Sequence, residues 1–286
     1  MQERDFLAHP ETHRIIREAL QEDIKGGDHS SLATVPEHTD NKARCLIKDT
    51  GILAGVSLAK RIFEIVDENL VFTPLLQDGD SVQYGDIAFY VDGSARSILA
   101  AERTVLNFMQ RMSGIATYTR RVVDLLQGLS CQILDTRKTT PLIRHVEKWA
   151  VHIGGGTNHR FGLYDMIMIK DNHIDYSGGI TQAISACHQY LKEKELDLNI
   201  EVEARTLEEV KEILAVGGVY RIMLDNMALE DMRKAVAMIG DQAQTEASGG
   251  ITMETVRDVA ETGVDFISMG ALTHSVKSMD ISLKAV

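Results

Sequence analysis

Apolar residues Ile15, Ile16, Ala19 and Leu20 fall at helical spacing directly after Pro10 and Glu11, and the pattern stops at Gly26-Gly27. A proline in the first turn and glycines past the last mark the two ends of a helix, so one is predicted there. Beyond it the period shortens. Residues 43–48, 70–76 and 87–91 are apolar or alternating runs of strand length, and Gln77-Asp78-Gly79-Asp80 marks a turn between two of them. Residues 57–67 return to helical spacing, so residues 1–100 read as a mixed α/β unit. The stretch 97–127 is helical in composition, and Ser113-Gly114 inside it predicts a kink or break. The domain boundary is placed there.

After the boundary, short apolar runs at 132–135, 166–170, 199–203, 220–225, 245–247 and 266–268 alternate with amphipathic stretches at 181–194, 207–216, 228–239 and 253–261. Strands alternating with helices mean parallel βα units, closed into a barrel or spread as an open doubly wound sheet. No strand runs into G-x-G-x-x-G, and the chemically interesting residues come from many strand ends rather than one switch point. The barrel is the better reading.

Composition narrows the class. The chain has 286 residues, 44% of them hydrophobic and 25% charged, with only 4 prolines, which is the balance of a soluble globular protein. Its longest nearly apolar stretch, 51–59, is far short of the ~18 residues a spanning helix needs, so no membrane role is expected. The opening Met-Gln-Glu-Arg-Asp lacks a secretory pattern, and a cytoplasmic setting is expected. Three cysteines without C-x-x-C spacing read as reduced thiols. A net charge of -12 repels nucleic acid, so an anionic ligand needs a local basic cluster. Residues 131–175 supply one, with Arg137, Lys138, Arg144, Lys148, Arg160 and Lys170.

In a barrel the chemistry sits at the C-terminal ends of the strands. Asp135 to Thr140 follow the first strand, and Arg137-Lys138 among threonines is an anion-binding composition: Arg grips a carboxylate or phosphate bidentately and Lys acts as a point charge. A solvated surface pair is the competing reading. Gly154-Gly155-Gly156 leads into Asn158-His159-Arg160, which matches no nucleotide motif and could also be a flexible connection. Lys170 ends an apolar run where an unpaired charge is costly, so it is expected to face a polar cavity or else to reach solvent. Glu201 and Glu203 share one face of the third strand. With Asp225 from the fourth they could hold Mg²⁺ or stabilise positive charge on a substrate, unless one of the three is turned to solvent or salt-bridged. Ser248-Gly249-Gly250, ahead of a helix expected from about Thr252, offers backbone N–H groups to a phosphate, against a plain glycine turn. His145, His152 and His159 recur every seven residues, a spacing wider than zinc sites favour.

Taken in order, these residues resemble the quinolinate phosphoribosyltransferase family. The resemblance covers nearly the whole chain. It rests on Glu102-Arg103-Thr104, Ser113-Gly114-Ile115-Ala116-Thr117, Asp135 to Pro141, the triple glycine with Asn158-His159-Arg160, Ile169 to His173, Leu224-Asp225-Asn226, Ser248-Gly249-Gly250, and Gly270 with Leu272-Thr273-His274-Ser275. It implies an N-terminal α/β sandwich over residues 1–112 and an incomplete (β/α) barrel over 113–273, with residues 274–286 returning to the first domain. It also implies a homodimer with shared active sites, in which Arg103 enters the neighbouring subunit's pocket. Arg137, His159, Arg160 and Lys170 would bind quinolinate. Lys138, Glu201 and Asp225 would hold phosphoribosyl pyrophosphate and Mg²⁺, with Lys138, Glu201 and Asp225 also catalytic. Ser248, Gly249, Gly250 and Gly270 would take the 5-phosphate. Leu142 and His152 depart from the family pattern at the rim. Two other readings stand beside this one: a same-family enzyme for another pyridine acid or a pyrimidine, and a non-catalytic sensor of phosphoribosyl compounds. A Schiff-base aldolase using Lys170 is weaker, since that lysine would need desolvation among cationic neighbours.

Overall fold

The computed structural model describes residues 3–286, which divide into two compact units. The first takes the chain up to Arg120 together with Thr139–Gly155 and Leu272–Val286, and the second takes Arg121–Lys138 and Gly156–Ala271. The chain therefore passes between the units more often than a boundary at 112–113 provides for. Helix Arg144–Ile153 explains the excursion: it buries Val146, Trp149 and Ala150, and Trp149 stacks on Phe6 with ring centroids 5.8 Å apart.

In the first unit, strands Ile281–Ala285, Asp40–Ile47, Ile87–Ser94 and Val71–Pro74 form an antiparallel sheet in that order. The C-terminal strand thus pairs with Asp40–Ile47. Cys45, Ile47, Phe89 and Val91 fill the core with Leu58, Ile62 and Phe63 of helix Val56–Val66. The helix predicted after Pro10 spans Pro10–Ile24.

The long helix Ala95–Leu125 runs unbroken through Ser113-Gly114, where the sequence predicts a kink. These two residues meet a packing requirement instead. Ser113 Oγ accepts the Ala54 N–H at 2.9 Å, and a Cβ on Gly114 would overlap the Lys277 carbonyl. A glycine inside a helix costs about 1 kcal/mol of propensity, which a close approach of this kind offsets.

In the second unit, strands Gln132–Leu134, Phe266–Ser268, Gln244–Ser248, Arg221–Asp225, Ile200–Ala204 and Ile167–Ile169 lie side by side in that order, all parallel. All six predicted strands are present. The first and second strands in the chain, Gln132–Leu134 and Ile167–Ile169, form the two ends of the order, so the barrel is incomplete between them. Helices Ile180–Lys194, Leu207–Val216 and Leu229–Ile239 match their predicted spans, whereas the helix expected over 253–261 shrinks to Val256–Ala260. Side chains alternate faces along a strand. Glu201 and Glu203 therefore project alike, and Arg221, Met223 and Asp225 do so on the next strand, opposite Gln244, Glu246 and Ser248 on the one after.

Candidate active site

Every candidate site residue except Arg103 belongs to the second unit. At the C-terminal ends of the strands, Lys170 Nζ donates to Glu203, and the Asp171 N–H donates to the other Glu203 oxygen at 3.2 Å. Lys170 keeps 45% of its side chain exposed, while Glu203 is nearly buried. This ion pair answers the cost of a lysine at the end of an apolar strand, and it commits the Lys170 side chain to a carboxylate.

Glu201 lies two residues deeper, ~6–7 Å toward the N-terminal end of the strand. It is fully buried and faces His159 Nε2 at 3.0 Å rather than Lys170. Of the pair on this strand, Glu203 is the carboxylate at the mouth, and Glu201 belongs to a layer beneath it. The structure thus sets Glu201, which the resemblance assigns to substrate and Mg²⁺, in the buried layer with His159 and sets Glu203 beside Lys170: both glutamates have the same parity, and only depth separates them.

The buried layer holds Glu201, Glu246, Arg221 and His159. Glu246 Oε2 lies 2.9 Å from Arg221 Nη1 and 3.3 Å from His159 Nε2. Burial raises Glu201 above the ordinary carboxylate range and the negative charge of Glu246 adds to the rise. Burial also works against Glu246, but hydrogen bonding and attraction from His159, with help from Ser268 and Arg221, hold it below that range. For His159, burial alone would lower the imidazole, yet hydrogen bonds and attraction from the two glutamates lift it to about 9. The Arg160 N–H donates to His159 Nδ1 at 2.6 Å and so favours a bare Nδ1, opposing that lift. With Nδ1 accepting the Arg160 N–H the ring is the neutral tautomer whose Nε2 proton faces the two carboxylates, whereas the imidazolium would set an Nδ1 proton against that N–H. His159, which the resemblance assigns to quinolinate, thus lies among Glu201, Glu246 and the Arg160 N–H.

A raised carboxylate destabilises the fold when ionised: its contribution is intact below the unfolded value near 4.5 and is lost as pH climbs through the folded value. Glu201→Gln removes that loss. Its melting temperature relative to the unmutated protein should therefore climb as pH is taken from 4.5 to 8, and parallel melting curves across that range would refute the assignment.

Asp135 ties the cationic loops together. It is fully buried, accepts the His159 N–H at 2.8 Å and the Asn158 side-chain amide at 2.6 Å, and precedes Thr136-Arg137-Lys138 directly. The loop after the first strand is thus joined to the turn that carries Arg160. Burial and then the charge of Arg137 hold Arg160 below its usual range. Arg137 and Lys138 are exposed, and the Lys138 N–H donates to Thr136 Oγ1 at 3.0 Å.

On the acidic side, Asp225 pairs in register with Ser248, and the Asn226 N–H donates to the Ser248 carbonyl at 2.9 Å. Asn226 has φ 54, a left-handed conformation that Asn tolerates better than most residues. Its side chain donates to Asp225 at 2.9 Å and lies where a Cβ on Gly249 would fall, so glycine is required there. Gly249 and Gly250, both at positive φ, turn the chain, but two irregular residues and a turn separate them from the five-residue helix Val256–Ala260. Any phosphate cradle here rests on the backbone of the glycine turn and not on the helix terminus the sequence predicts. Gly270 follows the strand Phe266–Ser268 by two residues at the same end.

Arg103 lies on helix Ala95–Leu125 of the first unit; it is exposed and has no hydrogen bond or salt bridge among the described residues. Sequence reasoning places two carboxylates incompletely. Glu203 is read with Glu201 on one strand face but left out of the roles the resemblance implies, and Glu246 reads as an ordinary strand position, although a glutamate within a run that alternates toward the barrel interior is a usable signal.

A parallel (β/α) barrel whose strand ends gather guanidinium and ammonium groups on one side and carboxylates with a glycine turn on the other defines a protein built to receive an anionic small molecule. The family models for the C-terminal and N-terminal domains of quinolinate phosphoribosyl transferase match residues 115–284 and 28–113, and the chain belongs to that family. It is 50% identical over 285 residues to the chloroplastic nicotinate-nucleotide pyrophosphorylase [carboxylating] of Arabidopsis thaliana, covering 94% of this chain and 81% of that one. It is 43% identical over 277 residues to a probable nicotinate-nucleotide pyrophosphorylase [carboxylating] of Bacillus subtilis, covering 97% and 94%. The crystal structure of NadC from Streptococcus pyogenes superposes with a TM-score of 0.89 at 39% identity, covering 96% of each chain. Among the described residues no helix is long and apolar enough to cross a membrane.

Proposed function

We propose that this protein transfers the phosphoribosyl group of phosphoribosyl pyrophosphate to quinolinate and releases CO₂, forming nicotinate mononucleotide and pyrophosphate in NAD biosynthesis. The observation that carries the reading is the division of the strand ends: Asp135 binds the turn holding Arg160 to the loop holding Arg137, facing a dicarboxylate with two guanidinium groups, while Asp225 and Ser248-Gly249-Gly250 form one joined edge for the sugar phosphate. Family membership supports the same reaction.

Departure of pyrophosphate from C1 of the ribose builds oxocarbenium character, which the carboxylates of Glu203 and Asp225 stabilise. The pyridine nitrogen attacks C1 and becomes a quaternary cation. The C2 carboxylate can then leave as CO₂, because the electron pair left on C2 is stabilised beside that charge and afterwards takes a proton. Arg137 and Arg160 must orient the diacid without holding the departing carboxylate too tightly. Oxygen donors are what Mg²⁺ takes, and Glu203 and Asp225 fit it; when bound it would neutralise charge on the pyrophosphate. The proposal includes a homodimer in which Arg103 completes the partner's site, and a cytoplasmic setting, whereas the Arabidopsis relative is named as chloroplastic.

Incubation with quinolinate, phosphoribosyl pyrophosphate and Mg²⁺ should yield nicotinate mononucleotide and CO₂. Quinolinate should bind far better than nicotinate. A charge-assisted hydrogen bond contributes about 1.5 to 3 kcal/mol, so Arg137→Ala should weaken quinolinate binding by at least roughly tenfold. Titration calorimetry with the two acids checks both statements, and equal affinity for them would remove the diacid reading.

A further inference from the structure

We propose that Glu246, backed by Arg221, is a positioning residue for the acid-binding side of the mouth, acting through the His159 ring on the turn that presents Arg160. The ligand named here rests on the function proposed above, but the geometry does not.

Arg160 has no salt bridge among the described residues. Its Nη1 donates to the Met166 carbonyl at 3.0 Å and its Nη2 lies 3.6 Å from Met168 Sδ. A guanidinium whose charge is not matched by a contacting carboxylate is suited to an incoming anion, but such weak anchors leave its direction to the backbone that carries it. That backbone is fixed from two sides. Asp135 holds the His159 N–H, and the His159 ring holds the Arg160 N–H through Nδ1. The ring can act as a strut only if its far nitrogen is tethered. Nε2 meets that condition through close polar contact rather than a formed hydrogen bond, at 3.0 Å from Glu201 and 3.3 Å from Glu246.

Of these two carboxylates Glu246 is the anchored one. Arg221 donates Nη1 to Glu246 Oε2 at 2.9 Å, the same oxygen that faces His159. Arg221 is itself immobile: Nε and Nη2 donate to Gln244 Oε1 at 3.2 and 2.9 Å, and its guanidinium carbon lies 4.2 Å from the Phe266 ring centroid and 5.5 Å from that of Tyr220. Glu201 has no cation of this kind in contact. The chain of contacts runs from the packed guanidinium through Glu246 and His159 to the Arg160 amide, linking three parts of the unit with no exposed member.

His159, Glu201 and Glu246 could also share a metal ion. Arg221 already supplies positive charge to Glu246, and the imidazole Nε2 proton fills the space between the carboxylates, so the geometry assigns the layer to support rather than to a cation.

The test compares Glu246→Gln, which keeps the shape and removes the charge, with the unmutated protein. The KM for quinolinate should rise about tenfold while that for phosphoribosyl pyrophosphate stays within about twofold. Hydrogen exchange at the Arg160 amide should accelerate by about tenfold. On a His159→Gln background, Glu246→Gln should raise the quinolinate KM by less than about twofold further, since both act through one strut. The inference is overturned by unchanged quinolinate KM and amide exchange, by both KM values rising together with a drop in Tm, by multiplicative effects in the double variant, or by stoichiometric metal in the purified protein. Should Glu246→Gln fail to fold, Glu246→Asp and Arg221→Lys are read by the same outcomes. If the unmutated protein does not convert quinolinate, the functional reading falls, and exchange at the Arg160 amide still decides the positioning role.

Discussion

Glu203→Gln is expected to lower kcat by two to three orders of magnitude, about 3 to 4 kcal/mol of transition-state stabilisation, while Glu201→Gln lowers it less than about tenfold. The contrast follows from depth. Glu203 stands at the strand ends, fixed by Lys170 and by the Asp171 N–H, so in the proposed reaction its charge is held in place before positive charge develops on the ribose. Glu201 is enclosed with His159 and Glu246, and the neutral amide that replaces it resembles the uncharged form that its surroundings favour. Asp225→Asn should resemble Glu203→Gln, because Asp225 ends the neighbouring strand in register with Ser248. Loss of Glu203 also frees Lys170, so quinolinate binding should be measured separately by calorimetry, and its change should be smaller than the change in kcat. Steady-state rates at saturating substrates, with and without added Mg²⁺, check the ranking. A larger loss from Glu201→Gln than from Glu203→Gln would return the catalytic role to the deeper residue.

Arg103→Ala and Lys138→Ala should each be inactive alone, yet a mixture allowed to exchange subunits should regain activity. Arg103 is an exposed arginine on a helix of the first unit with no partner among the described residues, so its guanidinium is open to a second copy of the chain. A two-fold dimer in which it reaches the neighbour's carboxylate-binding loops would supply that partner. Random exchange of equal amounts makes half of the dimers mixed, and each mixed dimer holds one site with both residues intact. About a quarter of normal sites should therefore recover, by the same symmetry. Demonstrated exchange without recovery would place Arg103 in its own subunit's chemistry or outside the site.

Hydrophobic period carries far in this chain, because helix and strand patterns are local. The six parallel strands, the helix at Pro10–Ile24 and the three long helices between barrel strands all appear where apolar spacing places them. The strand-end residues Lys170, Asp225 and Ser248 are legible for the same reason: once strands are located, the ends that carry chemistry follow from the barrel rule.

What spacing leaves open is anything decided by residues distant in the chain. Ser113-Gly114 has the composition of a helix break, and only the approach of the Lys277 carbonyl shows why glycine is needed within an intact helix. Residues 139–155 sit between barrel strands in the sequence yet pack with Phe6, since a buried tryptophan takes the larger apolar surface available to it whatever its place in the chain. Glu201 and Glu203 cannot be told apart by alternation, which assigns a face but not a depth. Depth is set by strand register and by the groups that neighbouring strands project, here Lys170 above, and Glu246 with its Arg221 below. The sequence by itself determined the elements, their faces and the inventory of charges, because those depend on each residue and its near neighbours. Which charges meet, and which of them remain free to meet a ligand, was decided only by the tertiary structure, because a buried charge takes its partner from across the sheet.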